Sequence, residues 1–216
     1  MSINKSYAVF GLGRYGFAVA KELVDSGAEV LAVDSDINIV NEAAAILPLC
    51  KCANITDSDA LSQLGISNID VVIIAMASHL EASVLAVTFC KEMGVKTVIA
   101  KAANEMHQKI LLKVGADTVV FPERESGIRL AKNLLSRGFV DIVELTKGIS
   151  MIELSVRPEW VGKSLLELNL RRKYSINIVA ICTGDEVNTA IDPTMPLNEN
   201  MKLIVIADTQ KISKLK

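Results

Sequence analysis

Through the first two thirds of the chain, short apolar runs alternate with longer amphipathic segments, and no other feature narrows the fold as far. The runs occupy residues 7–10, 30–33, 49–52, 71–75, 97–100 and 118–121. Runs apolar throughout, rather than at every second position, are what strands covered on both faces require. Helical periodicity fills residues 15–25, 37–45, 58–64, 80–93 and 105–114, and Gly27, Gly65, Gly94 and Gly115 stand where left-handed caps end such helices. Strand and helix alternating this often predict an α/β fold, a Rossmann-like doubly wound parallel sheet of six strands. Pro122 opens one further helix, predicted to run to about residue 137.

After Gly138 the rhythm changes. Strand-like runs at residues 149–156, 176–182 and 202–207 flank one short helical segment, 164–168, and a turn-rich stretch with Gly184, Asp185, Pro193 and Pro196. The expectation is a Rossmann-type nucleotide-binding domain over residues 1–138 and a second, smaller α+β domain over 139–216. Roughly seventy residues lie near the lower limit for a self-sufficient core, which favours pairing with a second copy.

Composition narrows the partners. The longest unbroken apolar stretch, residues 71–77, is far shorter than the roughly twenty residues of a membrane-spanning helix. The N-terminus enters a strand too soon to hold a signal peptide, so the expected location is the cytoplasm. Residues 1–140 carry 13 basic and 15 acidic side chains and residues 141–216 carry 10 of each, which leaves no basic surplus for nucleic acid. Cys50, Cys52, Cys90 and Cys182 form no CxxC pair and lie in or beside apolar runs, as reduced, buried thiols do.

Directly after the first strand comes Gly11-Leu12-Gly13-Arg14-Tyr15-Gly16, a G-x-G-x-x-G that opens the first helix. Gly11 permits the tight turn, Gly13 lets a phosphate approach the backbone, and Gly16 lets helix and strand pack closely. Asp34 follows the second strand eighteen positions beyond Gly16, where a carboxylate accepts bonds from both ribose hydroxyls and repels a 2′-phosphate. Arg14 is placed either to reach the phosphates or as a plain loop arginine. Asp36 and Asn38 read as caps of the second helix, with Asp36 also near the ribose. Asn54 and Thr56 lie at the adenine side of the crevice or cap the helix near Ser58. Lys101 ends the fifth strand, to touch a phosphate or to stand as an edge lysine. Leu12 and Tyr15, within the loop, and Ala75, at the end of the fourth strand, complete the candidate nucleotide-binding set.

Catalysis is poorly supplied. The C-terminal module has no histidine and only one tyrosine, Tyr174, whereas hydride transfer needs a substrate pocket with an acid or base. His79 opens the helix after the fourth strand and His107 sits in a later helix without a nucleophile nearby, so both read as surface or capping residues.

GLGRYG, the VDSD of residues 33–36, the AKAAN of residues 100–104 and the FPERESG of residues 121–127 together resemble the regulator-of-potassium-conductance family, specifically its TrkA/KtrA-type cytosolic subunits. The run WVGKSLLELNLRRKY, residues 160–174, extends the resemblance through the second domain, so that it covers nearly the whole chain. The glycine motif is common to many dehydrogenases, but arginine at its fourth position together with that run is much more specific.

The resemblance implies a non-enzymatic regulator. Subunits pair and assemble into a ring of eight that docks on a membrane potassium channel or transporter at the inner face of the cell membrane. ATP and ADP hold the ring in different shapes. Carried over, Gly11, Gly13 and Gly16 take the phosphates, Asp34 the ribose and Arg14 the terminal phosphate. Glu123 matches a family acid that helps bind Mg²⁺ or Ca²⁺, though it reads equally as a first-turn carboxylate favoured by the helix dipole. In some members the paired C-terminal modules bind cyclic di-AMP. Here Arg171 and Arg172 would supply cations and Leu165, Leu170, Ile176 and Ile178 apolar walls, or these are a solvated face and plain core. Ser175-Ile176-Asn177 departs from the simplest family pattern. The rival readings are an NAD(H)-binding redox sensor, an NAD-dependent oxidoreductase and a regulator of a cation/proton antiporter.

Overall fold

The computed structural model describes residues 5–77, 79–135, 139–146 and 148–208. The chain divides into two compact units, Met1–Pro122 and Glu123–Lys216. In the first, strands β1 (Ser6–Phe10), β2 (Glu29–Asp34), β3 (Cys50–Cys52), β4 (Val71–Ile74), β5 (Thr97–Lys101) and β6 (Thr118–Val120) are joined by helices α1 (Arg14–Asp25), α2 (Ile37–Ala43), α3 (Ser58–Gln63), α4 (Leu80–Glu92) and α5 (Glu105–Lys113). All strand pairs are parallel, in the order β3-β2-β1-β4-β5-β6. Each element predicted for this stretch is present, with its ends within two residues of expectation.

The side-chain period of two sorts each strand between two cores. Ala8, Phe10, Leu31, Val33, Val72, Ile74 and Val98 face one side, where Leu61 of α3, Ala86 and Val87 of α4 and Leu111 of α5 cover them. Val9, Val30, Ala32, Val71 and Ile73 face the other, covered by Ala20 of α1 and Ala43 of α2. Helices on both faces explain why the strand sequences are apolar throughout.

In the second unit, α6 (Pro122–Leu135) precedes β7 (Phe139–Thr146) and β8 (Ile149–Ser155), and then come the short helices α7 (Leu165–Leu168) and α8 (Leu170–Tyr174). Strands β9 (Ile176–Thr183), β10 (Glu186–Asn188) and β11 (Met201–Asp208) complete an antiparallel sheet in the order β10-β9-β11-β8-β7. Its core gathers Ile152, Leu154, Trp160, Leu168, Leu170, Ile176, Leu203 and Val205. The Arg157 guanidinium lies over both the Trp160 and the Tyr174 rings, 5.0 and 6.0 Å from their centroids. Strands β7 and β10 and helix α8 go beyond the elements expected from sequence.

Two expectations are corrected. Cys52 is exposed and Cys50 half-buried, because β3 is the sheet edge, whereas Cys90 and Cys182 are buried as expected and all four thiols are free. Burial pushes the Cys90 thiol up to about 12. His107 is not at the surface: it is 3% exposed. Asn104, not His107, caps α5, its Oδ1 accepting from His107 N at 2.8 Å. The Ala103 N–H donates to His107 Nδ1 at 3.3 Å, which places the ring proton on Nε2, a buried atom with no hydrogen-bond partner.

Burial lowers the His107 pKa below the ordinary value of 6.5. The unfolded chain therefore takes up this proton first as pH falls, so the neutral ring's contribution is complete above about pH 6.5 and is lost on acidification. The variant His107→Asn keeps an acceptor for Ala103 N and removes the titration. Near pH 7.5 it is expected to be less stable than the parent by about 1–3 kcal/mol, the gap narrowing toward about pH 5.5. Urea unfolding at both pH values checks this, and a constant gap refutes the linkage.

Candidate functional site

From β1 the chain passes outward to β2 and β3, returns to β4, and passes outward the other way to β5 and β6. In an open parallel sheet, ligands bind at the carboxyl ends of the strands beside such a reversal. The glycine loop lies there, between the end of β1 at Phe10 and the start of α1 at Arg14. Gly11 has φ +89°, its N–H donates to Val33 O at 2.8 Å, and a Cβ on it would stand 3.3 Å from Met76 Cβ. The tightest approach is at Gly16, where a Cβ would overlap the Gly11 carbonyl oxygen and come within 2.8 Å of Ala75 Cβ. Ala75 is thus part of the packing that seats α1, and its N–H donates to Phe10 O at 2.8 Å.

Gly13 differs from both. A Cβ added there meets nothing within 4 Å, so the room in front of it is not taken up by protein. It is the N-cap of α1 and lends no side-chain bond. The first helical bond runs from Phe17 N to Gly13 O at 2.9 Å, which leaves the N–H groups of Gly13 and Arg14 without an intrahelical acceptor. Unpaired donors at the positive end of a helix dipole, beside open space and the exposed Arg14 guanidinium, make an anion cradle.

Asp34 ends β2 and holds the loop. Its Oδ2 accepts from Leu12 N at 2.7 Å and its Oδ1 from Asp36 N at 2.9 Å. A carboxylate offers about four lone-pair sites, so each oxygen can still accept a hydroxyl. Asp36 caps α2 as expected, accepting from Asn38 N at 2.8 Å. Past β3, Asn54 Oδ1 accepts from Thr56 N at 3.0 Å and Thr56 Oγ1 at 2.8 Å. The cap of α3 is Asp57, so the capping alternative for Asn54 and Thr56 is set aside. Thr56 lines a cleft of about 560 Å³ together with His79, Leu80, Glu81, Ala82 and Leu85 of the α4 start. Of these five only His79 carries a sequence expectation, as a surface or capping residue, although their place directly after β4 puts them all at the same sheet edge. Lys101 ends β5, and its Nζ lies 5.4 Å from the centroid of the Tyr15 ring.

The first unit thus brings residues 11–16, Asp34, Asp36, Asn54, Thr56, Ala75 and Lys101 to the carboxyl edge of one sheet. Glu123 lies outside it, exposed in the first turn of α6 in the second unit. Among the described residues no three His, Cys, Asp or Glu side chains are grouped to hold a metal ion. A divalent cation beside Glu123 would therefore need further oxygen ligands to fill its shell.

In the second unit Leu165, Leu170, Arg171, Ile176 and Ile178 line one groove of about 310 Å³, with Leu166, Asn169 and Asn177. Both sequence readings meet here: Leu170 and Ile176 are 2% and 1% exposed and belong to the core, while Arg171 is exposed at the groove's edge.

Comparison with known proteins gives a consistent relationship. The TrkA-N domain model matches residues 7–122 and the TrkA-C domain model residues 150–216. Ktr system potassium uptake protein C of Bacillus subtilis is 40% identical over 212 residues, covering 98% of this chain and 96% of that protein. Ktr system potassium uptake protein A of Vibrio alginolyticus is 37% identical over 214 residues, covering 99% and 97%. Among solved structures, the GsuK channel bound to NAD shares the fold, with a TM-score of 0.52 and 21% identity over 98% of this chain and 38% of that one. With both domain models matched in order and two relatives alike along nearly their whole length, the chain belongs to the TrkA/Ktr family of potassium uptake proteins.

Proposed function

We propose that this chain is the nucleotide-sensing regulatory subunit of a membrane potassium channel or transporter, responding differently to ATP and ADP. The observation that carries the reading is the open space at Gly13, fronted by the N–H groups of Gly13 and Arg14 and tied through Leu12 to the Asp34 carboxylate. A phosphate chain fits the first and a ribose the second, while the cleft beside Thr56 has room for adenine. Arg14 contacts the terminal phosphate, and Glu123 is the residue proposed to help hold Mg²⁺ or Ca²⁺. The work is binding rather than catalysis: Tyr174 of the second unit is packed against Trp160 and Arg157.

The relatives are Ktr system proteins, which supports a partner in the membrane. No helix among the described residues is long and apolar enough to cross a membrane, in keeping with a peripheral subunit on the cytoplasmic side held there by its partner. Exposed Ile128, Leu130 and Leu134 on α6 favour a homodimer, and the octameric ring follows from the family pattern. The groove beside Arg171 is the site proposed for cyclic di-AMP. NAD(H) is the second reading, favoured by the same loop and Asp34 and by the fold shared with an NAD-bound channel.

Titration calorimetry of nucleotide-stripped protein with ATP, ADP, AMP, NAD and NADH, each with and without Mg²⁺, tests the proposal. Tight ATP and ADP binding with distinct signatures is expected, and preference for NAD(H) would overturn it in favour of the redox readings. Arg14→Ala is expected to reduce the ATP-over-ADP ratio about tenfold while AMP binding holds; an unchanged ratio removes Arg14 from discrimination.

Two glycine variants separate cradle from packing. Gly16→Ala is expected to cost about 3 kcal/mol or prevent folding, because backbone and Ala75 would have to move. Gly13→Ala should leave the urea midpoint nearly unchanged and weaken every adenine nucleotide, since its methyl enters the phosphate space. Equal loss of stability in both would show that Gly13 serves packing alone. For the second unit, Arg171→Ala is expected to weaken cyclic di-AMP about tenfold in a direct binding assay, with ATP binding unaltered.

A further inference from the structure

The loop between β5 and α5, residues 102–104, is fixed at three points. Ala102 is fully buried, and its N–H donates to Val120 O at 3.0 Å. Asn104 caps α5, accepting from His107 N at 2.8 Å. Between them the exposed Ala103 donates its N–H to His107 Nδ1 at 3.3 Å. Only the third bond has an acceptor that a proton can abolish, since an imidazolium carries N–H groups on both nitrogens and accepts nothing.

The opposite nitrogen sets what protonation does. Nε2 is buried without a hydrogen-bond partner, so even the neutral ring holds its proton with no acceptor. A buried donor left unmatched is unfavourable and uncommon. A protonated ring in the same place would hold a buried charge, that unmatched N–H, and a second N–H facing the one on Ala103. Carrying the ring into water relieves all three and breaks the bond to Ala103. Helix α5 packs against α4 and β6 and follows β5. The carboxylates on these elements that could hold an imidazolium are Glu81 and Glu92 of α4 and Glu105 of α5, all exposed, and β6 has no titratable residue. Lys91, Lys101, Lys109 and Lys113 oppose a further positive charge, the Cys90 thiol is neutral, and His79 is exposed ahead of α4. Burial is the cause that lowers the His107 pKa, so no carboxylate among these offsets the buried charge.

We infer that His107 is a proton-operated latch, which holds the β5–α5 loop through Ala103 when neutral and releases the loop and the first turn of α5 when protonated. The carboxyl edge of the sheet, where β5 ends, thereby changes shape on mild acidification. The latch acts irrespective of which nucleotide the glycine loop takes.

The test is hydrogen–deuterium exchange of the full chain at about pH 7.5 and pH 5.5, read peptide by peptide by mass spectrometry and referred to the intrinsic rate at each pH. A released ring titrates near the ordinary value of about 6.5, so the open population over residues 102–107 is expected to rise about five- to tenfold on acidification. Central strands β1 and β4 are expected to change by less than about twofold over the same interval. His107→Asn keeps an acceptor for Ala103 N–H and cannot titrate, and equal protection of residues 102–107 at both pH values is expected. If that variant does not fold, His107→Leu, equally unable to titrate, replaces it with the same expectation. His79→Gln, at the other histidine of the chain, is expected to keep the parent's response. Unchanged exchange over residues 102–107 in the parent, or a loss of protection spread evenly over the first unit, overturns the inference. So does a response that survives without an imidazole at position 107 or vanishes with His79→Gln.

Discussion

The approach of α1 to the turn after β1 governs the arrangement of the first unit. The helix backbone can rest on the Gly11 carbonyl and on Ala75 only because position 16 has no side chain. Seated that closely, α1 ends its N-terminus at the point where the strand order reverses, and Leu12 N comes within 2.7 Å of Asp34 Oδ2. A hydrogen bond to a charged acceptor contributes about 1.5–3 kcal/mol. Here it joins the end of β2 to the loop after β1, so the loop's position is set by packing on one side and by a carboxylate on the other. Gly13, between the two anchors, is left with open space in front of it.

The first unit was legible because one physical requirement repeats. Strands covered on both faces must be apolar at every position, and each helix between them shows its buried stripe. His107 escaped that reading, although the signal was present: it precedes Leu111 by four residues, and these two are the buried residues of α5. Cys52 sits in a run that reads as buried, but β3 is the edge strand and three residues long, so one flank has no neighbour. Asn54 and Thr56 carry short polar side chains and read equally as crevice residues or as caps. The residue that caps is Asp57, directly before the first helical residue, and Asn54 instead organises its own turn by accepting from Thr56.

The second unit was harder to read, for reasons that lie in particular residues. The sequence pattern marks a helix only over residues 164–168; Asn169 adopts φ +48° and ends α7, and α8 follows it directly. Ser175, part of the departure from the family pattern, takes φ +56° and ends α8, so that Ile176 starts β9. Strand β10 is exposed at all three residues and gives no apolar signal. The groove residues posed a different difficulty. Leu170 and Ile176 are fully inside the core while forming its floor, and no sequence pattern distinguishes a core residue that also borders a groove from one that does not.

A nucleotide can move an assembly between two states only through the difference in its affinity for them. In the proposed site the contacts to ribose and to the first phosphate are common to AMP, ADP, ATP and NAD, so Asp34 and Gly13 raise affinity without discriminating. Discrimination falls to groups that meet the tail. Arg14, which begins α1, is the group proposed to meet it. A tenfold preference amounts to about 1.4 kcal/mol, less than one charge-assisted hydrogen bond can supply. Under the proposed function, one arginine per subunit would then be enough to make ATP and ADP different signals. In a ring whose subunits change state together, the per-site ratios multiply, and a modest preference at each loop becomes a steep response of the whole.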